Sequence, residues 1–183
     1  MQNIIYKKAE STEELNQILY LQQINSPESI SEEESINEGF ITARHSFNIL
    51  KQMNDLCAHT IAKYDDKVVG YALSMVKAFK NDIEVLAPMF DKIEMSIPLN
   101  TNYIVMGQIC VDKLYRKQGI FKGLYHFMKS QMKSEYDMII TKVDAKNTRS
   151  MNAHYAIGFK VLYSYRSNNQ DWEILSWDIK TTN

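Results

Sequence analysis

The sequence predicts an α/β (α+β) fold, a single layer of mixed sheet with helices on its faces, in one domain over residues 1–183. Three observations predict it. Short runs of β-branched and aromatic residues recur along the chain, at 4–9, 59–64, 68–79, 103–111, 138–143, 159–165 and 172–179. Between them, 11–24, 40–56 and 120–132 carry apolar residues at steps of three and four, the spacing that lines one face of a helix. In the second half the two kinds of run alternate, which places helices against a sheet rather than in a bundle.

Taken in order, Ile4 opens a short apolar strand. Ser11-Thr12-Glu13-Glu14 then begins a helix, because Glu14 follows Ser11 by three residues in the arrangement of a capping box. Leu15, Ile18, Leu19 and Leu21 form its apolar stripe, and Pro27 helps to end it. Glu28, Glu32, Glu33, Glu34 and Glu38 make the one marked charge run, read as an exposed connection. A second helix is expected over 40–56 from Phe40, Ala43, Phe47, Leu50 and Met53. Asp65-Asp66-Lys67 joins the next two runs as a hairpin.

Residues 80–102 read as an insertion shaping a pocket rim, with Pro88 in the first turn of a short helix and Pro98 beyond its end. Tyr103 begins a nearly continuous apolar run, the pattern of a strand buried on both faces at the centre of a sheet. Ile120, Leu124, Phe127, Met128 and Met132 follow as an amphipathic helix. A strand over 138–143, a helix over 150–157 ended by Gly158, and strands over 159–165 and 172–179 complete the chain.

Composition narrows the function. The 21 Lys and Arg residues against 22 Asp and Glu leave a net charge of -1, so no field exists to hold nucleic acid. Residues 1–12 lack a signal-peptide apolar stretch, and no run approaches the ~20 apolar residues that span a bilayer, so a cytoplasmic protein without a membrane partner is expected. Cys57 and Cys110 form no C-x-x-C pair and read as buried reduced thiols. His45, His59 and His126 lack metal-ligand spacing, so no metal is expected.

The chemistry concentrates at 108–123, where a buried strand passes through a basic loop into an amphipathic helix. The first N–H groups of a helix lack intrahelical partners and carry the positive end of its dipole, so they bind a pyrophosphate without needing any particular side chain. Arg116, Lys117 and Lys122 add positive charge, and Gly119 permits a positive φ or a close backbone approach. The pattern is neither a Walker motif, for want of Gly-Lys-Ser/Thr, nor a dinucleotide fingerprint.

Arg116-Lys117-Gln118-Gly119-Ile120-Phe121 resembles the GNAT N-acetyltransferase signature of Arg or Gln, two residues, Gly, one residue, then Gly or Ala. Phe121 stands where that signature has a small residue. A second block, Asn147-Thr148-Arg149-Ser150 followed by Gly158-Phe159, is similar to the family's Asn-x-x-Ala/Ser and Gly-Phe segment. The resemblance covers residues 103–165 and implies a mostly antiparallel sheet of six to seven strands with a splayed central strand, opened by a bulge for which Gly107 is suited.

It also implies acetyl-CoA as co-substrate. Ile109, Cys110 and Val111 would offer backbone groups to the pantetheine arm; Arg116, Lys117, Gln118, Gly119, Ile120 and Phe121 would hold the pyrophosphate, with Lys122 beside them; Asn147 would contact the cofactor. The acceptor would be a primary amine of a small molecule or peptide, attacking the thioester directly, and a second copy of the chain is a further candidate partner. The family's acid for the leaving thiolate is a Tyr four residues before the glycine of Gly-Phe; His154 holds that position here and Tyr155 follows it. No carboxylate stands out as the base, and Gln108 is no base. The alternative function is a non-catalytic acyl-CoA sensor on the same fold.

Overall fold

The structure, a computed structural model, describes residues 3–26, 44–80 and 87–180. The strands of the described residues are β1 (Ile4–Lys8), β2 (Thr60–Tyr64), β3 (Lys67–Met75), β4 (Tyr103–Val111), β5 (Met138–Asp144), β6 (Lys160–Ser167) and β7 (Gln170–Asp178). Helices of the described residues are α1 (Thr12–Ile24), α2 (Phe47–Leu56), α3 (Ala87–Ser96), α4 (Ile120–Met132) and α5 (Thr148–Tyr155). The sheet order is β1-β2-β3-β4-β5-β7-β6. The expected class is observed: a mixed sheet flanked by helices.

The chain divides into two compact units, Met1–Ser74 with Gln108–Ser130, and Met75–Gly107 with Gln131–Asn183. The first holds the antiparallel ladders of β1 with β2 and β2 with β3, the latter shifting register between Ala62 and Lys63. Its core is Ile18, Leu21, Leu50, Ile61, Leu73 and Leu124, all fully buried. Each such side chain contributes about 1.5–3 kcal/mol of apolar transfer.

α1 starts where the capping box demands. Ser11 Oγ accepts from the Glu14 N–H at 3.1 Å, while Glu14 Oε2 accepts from the Ser11 N–H at 3.3 Å. Burial pushes the Glu14 carboxyl up, but the N–H of Glu10, the Lys7 ammonium and the N–H of Ser11 outweigh it and bring its pKa down to about 2.

In the second unit β5 and β7 pair antiparallel from Met138↔Asp178 to Asp144↔Trp172, and β7 continues the sheet to β6. The parallel pairing of β4 with β5 runs only from Tyr103↔Met138 to Val105↔Ile140, although both strands continue. One residue further, Thr141 Oγ1 donates to the Met106 carbonyl at 3.0 Å, so a side chain takes the place of a ladder bond. Gly107 stands two residues beyond the last pair.

Two expected boundaries move. The second helix begins at Phe47 rather than Phe40, because Ser46 caps it by accepting the Ile49 N–H at 3.3 Å; residues 40–43, and the glutamate run before them, lie outside the described residues. β3 ends at Met75 rather than reaching Phe79, since a 3-10 turn over Lys77–Lys80 intervenes and buries Phe79. The short helix expected at Pro88 is α3; residues 81–86 of that insertion also lie outside the described residues.

Candidate active site

The β4–α4 connection is fastened by its own residues. Asp112, almost fully buried, donates its N–H to the Val69 carbonyl at 2.9 Å, accepts the Leu114 N–H on Oδ1 at 3.0 Å and meets Lys67 Nζ on Oδ2 at 2.9 Å. An aspartate that binds the backbone two residues on sets a tight turn, here the 3-10 turn Lys113–Tyr115. Arg116 then folds back: Nε donates to the Val111 carbonyl at 3.1 Å and an Nη donates to Asn25 Oδ1 at 2.8 Å.

Beyond Arg116 the backbone turns left-handed at Lys117, φ 62°, and again at Gly119, φ 81°. Lys117, Gln118 and Gly119 are exposed, and a Cβ built on Gly119 meets no heavy atom within 4 Å. The first i→i-4 bond of α4 is Gly123 N–H to the Gly119 carbonyl, 2.9 Å, so the amides of Ile120, Phe121 and Lys122 precede it. Left-handed residues leading into a helix start present backbone N–H groups to one concave spot, which favours an anion. Open space lies over that spot.

The helix end is seated closely on the sheet. Ile120 is buried, and a Cβ on Gly70 of β3 would lie 3.2 Å from both Ile120 Cγ2 and the Cys110 carbonyl, a tight approach that glycine relieves. Phe121 departs from the small residue of the signature, and the structure shows where its ring goes. It lies edge-on to Tyr125 at 5.3 Å, one helical turn along. Lys122 is exposed on the same first turn.

On β4, Ile109 and Val111 are half-buried and Cys110 is buried. Burial pushes the Cys110 thiol up to about 12, which keeps it protonated and unreactive. Beside it the fully buried Tyr71 donates its hydroxyl to Gln108 Oε1 at 2.6 Å.

In the second unit Asn147 caps α5, its Oδ1 accepting the Ser150 N–H at 3.0 Å. His154 is only 1% exposed; its Nδ1 lies 2.7 Å from the Ser150 carbonyl, and its ring meets Phe159 edge-on at 5.2 Å. That contact fixes the proton on Nδ1, and burial lowers the imidazole pKa to about 4, so the ring is neutral near pH 7. Tyr155, next on the helix, is 43% exposed. The sequence placed the two side by side; the fold buries one and presents the other.

Three contributors escaped sequence reasoning. Asn25 and Lys67 reach the loop from 91 and 45 residues away, and no local pattern marks them. Asp112 had a visible signal, an aspartate at the exit of an apolar strand.

A family model described as the acetyltransferase (GNAT) family matches residues 18–159. Solved structures share the fold across nearly the whole chain. The ribosomal-protein-S18-alanine N-acetyltransferase from Escherichia coli is 13% identical, with 99% of this chain and 97% of that one covered and a TM-score of 0.65. An N-acetyltransferase from Staphylococcus aureus Mu50 is 18% identical over 97% and 99%, TM-score 0.64. Arabidopsis thaliana Naa50 in complex with the bisubstrate analogue CoA-Ac-MVNAL is 14% identical over 96% and 98%, TM-score 0.65. No curated protein matches the sequence. A strand-loop-helix with a left-handed glycine at its turn, inside a family match of this length, settles the affiliation: the chain belongs to the GNAT family of acetyltransferases.

Proposed function

We propose that this protein transfers an acetyl group from acetyl-CoA to a primary amine by direct attack. One observation supports the reading: left-handed backbone at Lys117 and Gly119 leads into α4 beneath open space, a spot suited to a pyrophosphate held by the first-turn amides. Lys117 and Lys122 bring positive charge to that spot, and the backbone of Ile109, Cys110 and Val111 is the seat proposed for the pantetheine arm.

Water first takes the ammonium proton; the neutral acceptor nitrogen then forms a bond to the thioester carbonyl carbon, the C–S bond breaks, and the second proton lost from nitrogen passes to water. An ordinary amine, with a pKa of ~10.4, is mostly protonated near neutrality, so the first deprotonation gates the reaction. The thiolate leaving group takes a proton from an acid or from solvent. An acyl-enzyme on Cys110 is disfavoured, since that thiol is buried and its thiolate scarce. Of the two acid candidates Tyr155 is the better supported, because its side chain is exposed while the Nδ1 proton of His154 is held by the Ser150 carbonyl.

The test is free-thiol release from acetyl-CoA over a panel of small amines, polyamines, aminoglycosides and peptide N-termini, run beside melting curves with and without acetyl-CoA. The reading expects a rise in melting temperature and turnover with at least one amine. Binding without thiol release would leave the acyl-CoA sensor as the function; no binding at millimolar acetyl-CoA would end both readings.

A further inference from the structure

We infer that Arg116 is a positioning residue that ties the pyrophosphate loop to the last turn of α1 through Asn25. This rests on the loop being the acyl-CoA site.

The guanidinium is a fork, and the structure shows its work. Nε holds the Val111 carbonyl where β4 ends, and an Nη holds Asn25 Oδ1. Asn25 caps α1, is 2% exposed, and uses its other amide atom to donate to the Leu21 carbonyl at 2.9 Å. The two bonds fix which end of the amide faces Arg116. Moving the guanidinium out to a phosphate would strip a buried acceptor of this donor, a cost the loop avoids by presenting backbone amides instead. The fork closes 111–116 into a short ring whose exit sets the backbone of Lys117 and Gly119.

The last turn of α1 is therefore a seat for the cofactor loop. Filling the loop with coenzyme A reports to α1 through the fork.

Coenzyme A affinity of the folded proteins is measured by calorimetry for the wild type, Arg116→Lys, Arg116→Gln, Asn25→Ala and the pair Arg116→Gln with Asn25→Ala. Hydrogen exchange of residues 21–25 is followed with and without coenzyme A. Each single change weakens binding about tenfold, the scale of one charge-assisted hydrogen bond. The pair is no weaker than its weaker member, because both remove one bridge. Coenzyme A slows exchange at 21–25 in the wild type and not in Arg116→Lys, which keeps the charge but not the fork.

Wild-type affinity in Arg116→Lys, or in Asn25→Ala, would overturn the inference, as would losses that multiply in the pair. Where Asn25→Ala does not fold, Arg116→Lys and the exchange comparison decide it alone. A wild type that binds no coenzyme A overturns the proposed function itself, which is a separate result from a wild type that binds while its variants are unaffected.

Discussion

Replacing Gly119 by alanine separates the stability of the loop from its grip. The backbone there is left-handed, φ 81°, which costs a residue with a Cβ about 1–2 kcal/mol. A steric charge adds nothing, since the new methyl would meet no heavy atom within 4 Å. For a chain of this length 1 kcal/mol moves the melting temperature by roughly 2–4 °C, so Gly119→Ala should melt about 2–8 °C below the wild type and remain folded. The methyl does occupy the open space in which the pyrophosphate is proposed to lie. Acetyl-CoA at 100 times its dissociation constant stabilises a native protein by about 2.7 kcal/mol, a rise of roughly 5–11 °C on the same scale. That rise should be present in the wild type and largely absent in the variant, measured by differential scanning fluorimetry at matched acetyl-CoA. A variant that keeps the full ligand-induced rise would show that the space over Gly119 is not where the anion binds. One that fails to fold would show that the loop carries more of the stability than its geometry allows.

Acid should unfold the protein through its buried histidines. Burial holds His59 and His154 each at about 4 against 6.5 unfolded, so below pH 6.5 the unfolded chain gains protons that the folded one refuses. Stability is full above pH 6.5 and falls towards pH 4 by roughly 3 kcal/mol per histidine. Denaturant melts across that window check it, and His154→Gln should make the slope shallower. Glu14→Gln keeps a cap acceptor but loses the charge that meets Lys7 at 3.0 Å, so urea unfolding should show a loss of about 1–3 kcal/mol; an unchanged midpoint would refute the role of that carboxylate. Tyr155→Phe should lower kcat for thiol release while leaving KM for acetyl-CoA unchanged, whereas His154→Gln should act on stability; a kcat loss confined to His154→Gln would reverse that assignment.

Much of the fold was legible because it is locally encoded. The capping box at Ser11 fixed the start of α1, and the apolar run from Tyr103 marked β4 with its observed limits. Local pattern failed where two signals compete. Phe40 and Ala43 continue the helical spacing of α2, but Ser46 offers a cap, and the observed helix begins after it. The glycine loop was readable for the same reason, since a positive φ before a helix is a backbone requirement. Side-chain commitments were not. Arg116 looks like a phosphate ligand until Asn25 arrives from 91 residues away, and His154 looks accessible until Phe159 covers its ring. Tertiary partners decide what a charged or titratable group is free to do.

Among the described residues the strand order leaves β1 and β6 as the outer strands of the sheet, and their residues bear on how concentrated the protein can become. Unpaired strand rims invite copies of a chain to stack into aggregates. Here β1 ends on Lys7 and Lys8, while β6 opens on the exposed Lys160, shifts register between Val161 and Tyr163, and ends near the exposed Arg166. Another strand laid along either rim would set like charges against each other or follow a ladder that slips by a residue. The chain carries its own defence against rim-to-rim stacking, in cations and one irregular step.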